Sequence, residues 1–243
     1  MIKVDNLNKK FGRQQVLKDV CLEFGAGQSV ALIGPNGSGK TTLIKVLLGL
    51  VLPNSGMVNF DGQPIAGDSN YRRMIGYMPQ MSRYPGNMKV GQLFSMMKSL
   101  RSDVSADKYD MDLYRAFDID SMAGKRLEVL SGGMKQKVSA SLAFMFDPSV
   151  LILDEPTAGL DPVSNEVLKE KLKTTVSEDK LVLITSHILN DLDDITTHVA
   201  YLMDGLVKFY KSLDQLKRET AESRLNRIIA QVLSKEKEYV EDH

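Results

Sequence analysis

Four short, nearly pure apolar runs punctuate the chain: Ser29-Val30-Ala31-Leu32-Ile33, Val150-Leu151-Ile152-Leu153, Leu181-Val182-Leu183-Ile184-Thr185 and Val199-Ala200-Tyr201-Leu202-Met203. Runs of this length without polar alternation predict strands buried on both faces, as in a parallel sheet covered by helices. Apolar residues at helical spacing lie between them, at Leu43, Ile44, Val46, Leu47 and Leu48 and again from Val138 to Phe146. The alternation of the two patterns predicts an α/β fold.

Residues 2 to 33 differ, with apolar stretches at Ile2-Lys3-Val4 and Val20-Cys21-Leu22-Glu23-Phe24 broken by Gly12-Arg13 and Gly25-Ala26-Gly27. They predict an antiparallel layer leading into the first buried strand. Further strands are expected at Met57-Val58-Asn59-Phe60, before the Asp61-Gly62 turn, and at Ile75-Gly76-Tyr77-Met78, ending at Pro79-Gln80. From 81 to 130 the chain turns methionine-rich and helix-periodic, as in Val90 to Leu100, with a polar patch at 101 to 110, and predicts an inserted helical lobe. Core packing is expected of most methionines there, while Met81, Tyr84, Pro85 and Met88 suit an adaptable contact surface. From about 211 to 238, Leu213, Leu216, Leu225, Ile228, Ile229 and Val232 among mixed charges predict an amphipathic helix or pair packed on the rest of the chain.

Charge narrows the possible partners. Basic and acidic residues both number 31, so nothing electrostatic points to DNA or RNA. The lone Cys21 excludes an internal disulfide, fits a reducing compartment and is expected to be a small buried apolar residue. No stretch approaches the ~18 uncharged apolar residues of a membrane span, and the N-terminus lacks an apolar signal core, so any pore is expected on another chain.

The most specific chemistry lies at Gly34-Pro35-Asn36-Gly37-Ser38-Gly39-Lys40-Thr41, which fills G-x-x-x-x-G-K-[ST] between a predicted strand and a predicted helix. Glycines let successive N–H groups face one concavity at a helix N-terminus, a nest for phosphates. Lys40 adds a point charge, and the Thr41 hydroxyl suits a Mg2+ ligand. Kinases, GTPases and transport ATPases all share such a loop. Asp154 and Glu155 end a buried strand where ligands sit in open α/β sheets, and strand alternation assigns them different faces and different roles. Ser131 fits an N-cap before Gly132 and Gly133, either an ordinary helix start or a second anion site. His187 ends a buried strand, which alone reads as structural; His198 and His243 lack that setting. Phe11 is either packed under a turn or an aromatic plate for a purine.

In this order, over about residues 2 to 210, the motifs resemble the nucleotide-binding subunit of ATP-binding-cassette (ABC) transporters. The resemblance makes Gly34 to Thr41 the Walker A loop, Gln80 the Q-loop glutamine and Leu130-Ser131-Gly132-Gly133-Met134 the signature. It places Walker B at Asp154, with Glu155 following, the D-loop at Gly159-Leu160-Asp161 and the switch histidine at His187. It implies a RecA-like P-loop NTPase core (1–80 and 147–210), an antiparallel β layer, an inserted helical subdomain (81–146) and a helical extension (211–243).

The implied substrate is ATP with Mg2+, held by Phe11 on the base, by Gly34 through Thr42, and by Ser131, Gly132, Gly133 and Asp161. Thr41, Gln80 and Asp154 are implied around the metal; Glu155 would polarise water, with His187, Gln80 and Lys40 completing the catalytic set. Two copies would close head to tail on two ATP molecules, beside a permease at the cytoplasmic membrane face, in an exporter-type system. Phe11, where tyrosine is usual, keeps the π face, and Met134, where glutamine is usual, leaves Ser131 to Gly133 intact. The fifty residues between Gln80 and Ser131 are too few for a long coiled-coil arm, which disfavours chromosome-structuring relatives. A soluble ABC ATPase that remodels nucleic acid or ribosomes is the alternative, and a simple P-loop kinase leaves the signature unexplained. Around Met81 to Pro85 there is also some likeness to the ATPase that helps mature nitrous oxide reductase.

Overall fold

The computed structural model describes residues 1–186 and 189–241. In chain order its elements are β1 (Ile2–Phe11), β2 (Gln14–Phe24), β3 (Ser29–Ile33), α1 (Lys40–Leu47), β4 (Ser55–Phe60), β5 (Gln63–Pro64), β6 (Ile75–Met78), α2 (Val90–Leu100), α3 (Asp112–Ala116) and α4 (Gly132–Phe144). There follow β7 (Val150–Asp154), α5 (Pro162–Ser177), β8 (Leu181–Thr185), β9 (His198–Met203), β10 (Leu206–Ser212), α6 (Leu213–Thr220) and α7 (Leu225–Glu241).

A six-stranded sheet runs β10-β9-β3-β8-β7-β6, parallel apart from β10, which pairs antiparallel with β9. Its central strands are the pure apolar runs, and β3, β7 and β8 are buried along their whole length. Because successive side chains alternate in direction, each strand feeds two separate cores. Val30 and Leu32, Val150 and Ile152, and Leu181 and Leu183 face the antiparallel layer and α1. Ala31, Leu151, Leu153, Val182 and Ile184 face the other side, where they join α2, α4, α5 and the C-terminal helices.

The second sheet, β2-β1-β4-β5, is antiparallel throughout and lies over the first core. Along β2, Val20, Leu22 and Phe24 point inward, leaving Cys21 on the outward phase. Contrary to expectation, Cys21 is exposed, its thiol 3.3 Å from the backbone nitrogen of Asn6. Strand phase here overrides the usual burial of cysteine.

Helix α2 starts and stops where the hydrophobic pattern places it, but the following stretch is only partly helical: α3 spans five residues, flanked by 3-10 turns at Ala106–Lys108, Ile119–Met122 and Leu127–Val129. Val90, Leu93, Phe94, Leu113 and Ile119 are continuous with the core beneath the main sheet. Of the residues expected to form a contact surface, Met88 and Tyr84 pack against that core, whereas Met81 is exposed. Strand β10 carries the sheet to Ser212, and Leu213, Leu216, Leu225, Ile228 and Ile229 bury the apolar faces of α6 and α7 in the same core.

Candidate functional site

The loop from Gly34 to Gly39 leaves the C-terminal end of β3 and delivers the chain into α1. Gly34 has φ 148, and a Cβ there would meet the Leu202 carbonyl oxygen at 1.9 Å, so the loop passes against β9 too closely for any side chain. Backbone bonds fix the far side, with Ser38 N–H donating to Pro35 O at 3.2 Å and Gly205 N–H to Ser38 O at 3.1 Å.

Lys40 folds back across the loop, its Nζ donating to Gly34 O at 2.7 Å and Pro35 O at 3.0 Å. Burial lowers its pKa, outweighing the opposite pull of Glu155 and Asp154. The ammonium is therefore costly to bury and gains from any added negative charge.

A cleft of about 330 Å³ is lined by Gln14, Val16, Asn36 to Thr42, Gln80, Asp154 and Glu155. Residues far apart in sequence meet here because β3, β6 and β7 all end on this edge of the sheet. Asp154 is buried at the end of β7 and receives a short hydrogen bond from the Thr185 hydroxyl of β8. Its charge adds to burial in raising the Tyr77 phenol above its ordinary pKa.

Glu155 lies beyond the strand and takes φ 54, the left-handed region that a non-glycine residue adopts at a cost. Its N–H is held by Thr185 O and Thr185 Oγ1, both at 3.1 Å. Strand alternation therefore governs Asp154 but not Glu155, whose direction comes from this turn.

The donors fit a magnesium nucleotide. Thr41, Gln80 and Asp154 offer oxygen ligands on one cleft, the set a hard cation takes when phosphates complete its shell. No cluster of three or more His, Cys, Asp or Glu residues suited to a metal occurs among the described residues. Ser38 Oγ is buried on the same loop without a protein partner.

Other expected site residues lie elsewhere. Ser131, Gly132, Gly133 and Asp161 are not among the residues lining the cleft. Ser131 caps α4, its Oγ accepting from Met134 N at 3.2 Å. Gly133 packs against the Gly159 carbonyl, which an added Cβ would meet at 2.6 Å, whereas one at Gly132 meets nothing within 4 Å. Asp161 caps α5 through Ser164 N at 2.9 Å and pairs with Lys137 at 2.8 Å. Phe11 is half exposed at the tip of β1, with Lys9 Nζ 4.8 Å from its ring centre, so it is not packed under the turn. His187 and His243 lie outside the described residues.

Gln14, Val16 and Thr185 escaped the sequence reading. The first two carry no motif, and Thr185 looks like the last residue of an ordinary buried strand.

Strand, phosphate nest and helix, with a strand-end acid on the same cleft, define a P-loop NTPase. The chain belongs to the ABC transporter family, whose model matches residues 17–158, and it is an ATP-binding ATPase of that family. It is 33% identical over 209 residues to the Nod factor export ATP-binding protein I of Cupriavidus metallidurans, covering 84% of this chain and 69% of that one. It is 32% identical to the ABC transporter ATP-binding protein YtrB of Bacillus subtilis, covering 90% and 74%. Against the lantibiotic transport ATP-binding protein SrtF of Streptococcus pyogenes it is 30% identical, covering 88% and 92%. Among solved structures, an ATP-binding subunit of an ABC transporter superposes with TM-score 0.88 at 29% identity, covering 96% of this chain and 99% of that one. A dimeric bacterial ABC transporter cassette gives 0.77 at 25% identity, covering 88% and 99%.

Proposed function

We propose that this chain is the ATP-hydrolysing subunit of a membrane exporter and that two copies close head to tail around two ATP molecules. The observation that carries the reading is the separation of the site into two parts. The cleft at Lys40, Asp154 and Glu155 is open, and the capped helix start at Ser131 to Gly133 lies outside its lining, with free space at Gly132. A second copy supplies the missing half.

In the closed pair, the Gly34 to Thr41 nest and Lys40 bind the phosphates, while Ser131 and the N-terminus of α4 from the other copy meet the γ-phosphate. Thr41, Gln80 and Asp154 would hold magnesium, which would supply positive charge beside the phosphates. Glu155 orients the attacking water and takes its proton, with His187 steadying the γ-phosphate. Catalysis comes from positioning and electrostatics.

No helix among the described residues is long and apolar enough to cross a membrane; in this reading the subunit works with a permease. A groove of about 470 Å³ between the sheet edge and the helical segment, lined by Arg73, Tyr77, Tyr84, Arg101 and Phe146, offers the permease a seat near Gln80 at the cytoplasmic face. The export and lantibiotic-transport names of the relatives, and the likeness to an ATP-bound Atm1-family exporter at 26% identity, support export. This chain covers 41% of that exporter chain. The narrower reading, maturation of a copper enzyme, rests on Met81 to Pro85 alone, and the identity of a co-purified permease decides it.

Glu155→Gln tests the core of the proposal. Hydrolysis is expected to fall by roughly 10²-fold or more while ATP binding persists, and dimers should accumulate with ATP in sedimentation. Near-normal turnover, or a protein that stays monomeric with saturating ATP, would overturn it.

A further inference from the structure

The signature helix and the loop after Glu155 are fastened to each other within one chain. Lys137, one turn into α4, places Nζ 2.8 Å from Asp161 Oδ2. The same carboxylate caps α5, accepting from Ser164 N at 2.9 Å and Ser164 Oγ at 2.7 Å. A second attachment lies four residues earlier, where Gly133 approaches the Gly159 carbonyl too closely for a side chain. Lys137 is also held from the helical segment, with its Nζ 5.9 Å from the Phe117 ring centre.

Stability does not account for the ion pair. The Asp161 side chain is 51% exposed and that of Lys137 24%, and pairs this open add little to folding. The bonds from Lys137 and Ser164 hold the Asp161 carboxyl well below the usual carboxylate range, so it stays a carboxylate across the working pH range. What the pair does join is the segment that ends in Ser131 and the loop that begins at Glu155.

We propose that Lys137 is a positioning residue that makes Ser131–Gly133 and Gly159–Asp161 one rigid body, so that seating the signature on the partner's ATP sets the loop leading back to Glu155 in its own cleft. This rests on the two-copy reading above. Neither Lys137 nor Asp161 lines the nucleotide cleft, so ATP binding to one chain should not depend on them.

The test uses the full chain with Lys137→Met, Lys137→Arg, Asp161→Asn and the Met/Asn double variant; asparagine retains the capping ability of aspartate. Expected for Lys137→Met is a kcat lower by roughly 3- to 30-fold, the size of effect seen along coupling routes, with a reduced Hill coefficient for ATP. The Kd of a fluorescent ATP analogue and the melting temperature should stay near wild type. Arginine should restore most of the rate, and the double variant should be no worse than either single one. Wild-type kcat and Hill coefficient in Lys137→Met, a Kd that worsens in step with the rate, or strictly additive losses would each overturn the proposal. If instead the wild-type chain turns over without dimerising, the two-copy reading fails separately, and non-additivity in kcat still reports whether the two residues are coupled.

Discussion

The Thr185 hydroxyl donates a short hydrogen bond to Asp154 Oδ1 and accepts one from the Glu155 N–H at 3.1 Å, so one side chain on β8 ties down both acids at the end of β7. Strand order makes this possible, because β8 lies between β3, which carries the phosphate loop, and β7. The Asp154 carboxylate and the left-handed turn at Glu155 share one support.

Thr185→Val keeps the shape and removes the hydroxyl. The buried Asp154 oxygen then loses its donor, at a cost of about 1–3 kcal/mol. Urea unfolding should show a loss of that order, and kcat should fall about 10- to 100-fold, the range for partners that orient a ligating group. ATP affinity should change far less than kcat.

Lys40 is held below its ordinary pKa by burial, so it loses its proton at a lower pH than a free lysine would. Only the ammonium form attracts phosphate. Calorimetric ATP affinity should therefore weaken as pH rises through that lowered pKa. Lys40→Ala should weaken binding about tenfold or more at pH values below that pKa, as expected for a lost charged hydrogen bond, with a smaller difference above it. Lys40→Arg should remove the alkaline loss, since a guanidinium keeps its charge.

Gly132 and Gly133 should respond differently to alanine. At Gly133 the new Cβ meets the fixed backbone of Gly159, so the substitution should lower both melting temperature and turnover. At Gly132 the space is open within one chain. Gly132→Ala should leave the melting temperature unchanged or slightly higher, because alanine is the better helix former, and still reduce hydrolysis if that space belongs to the partner's nucleotide. Normal turnover in Gly132→Ala would show that the space is unused.

His198 sits against Thr197 Oγ1 at 2.9 Å, Gln28 Nε2 at 3.4 Å and the Tyr210 ring, and burial lowers its pKa despite the opposing charge of Asp214. The unfolded chain therefore takes up this proton at higher pH than the folded one. The stabilising effect is complete above the unfolded pKa and is lost as pH falls through the folded one. Denaturant midpoints should fall between about pH 7 and 5, and His198→Gln should reduce that slope.

The fold was legible wherever one local signal dominated. The apolar runs at 29–33, 150–153 and 181–185 became central strands, and Val90 to Leu100 became α2, because period and burial agreed. Asp154 and the phosphate loop were legible because their chemistry is bound to contiguous residues. Cys21 was misplaced because its residue type said buried while its place on the pleat said exposed. Thr185 and Lys137 were invisible for another reason. Each acts through a residue about 25 to 30 positions away, and only the pairing of β7 with β8, or the approach of α4 to the start of α5, brings those partners together.

The alternation of Val150, Leu151, Ile152 and Leu153 between two cores has a consequence for how this architecture diversifies. The sheet acts as a partition, with the phosphate loop's helix on one side and the signature helix, the helical segment and the C-terminal pair on the other. Side chains on one face can be exchanged, and the outer helices lengthened or traded, without repacking the wall behind Lys40. Lineages can thus fit such a chain to new partners while inheriting the nucleotide chemistry intact.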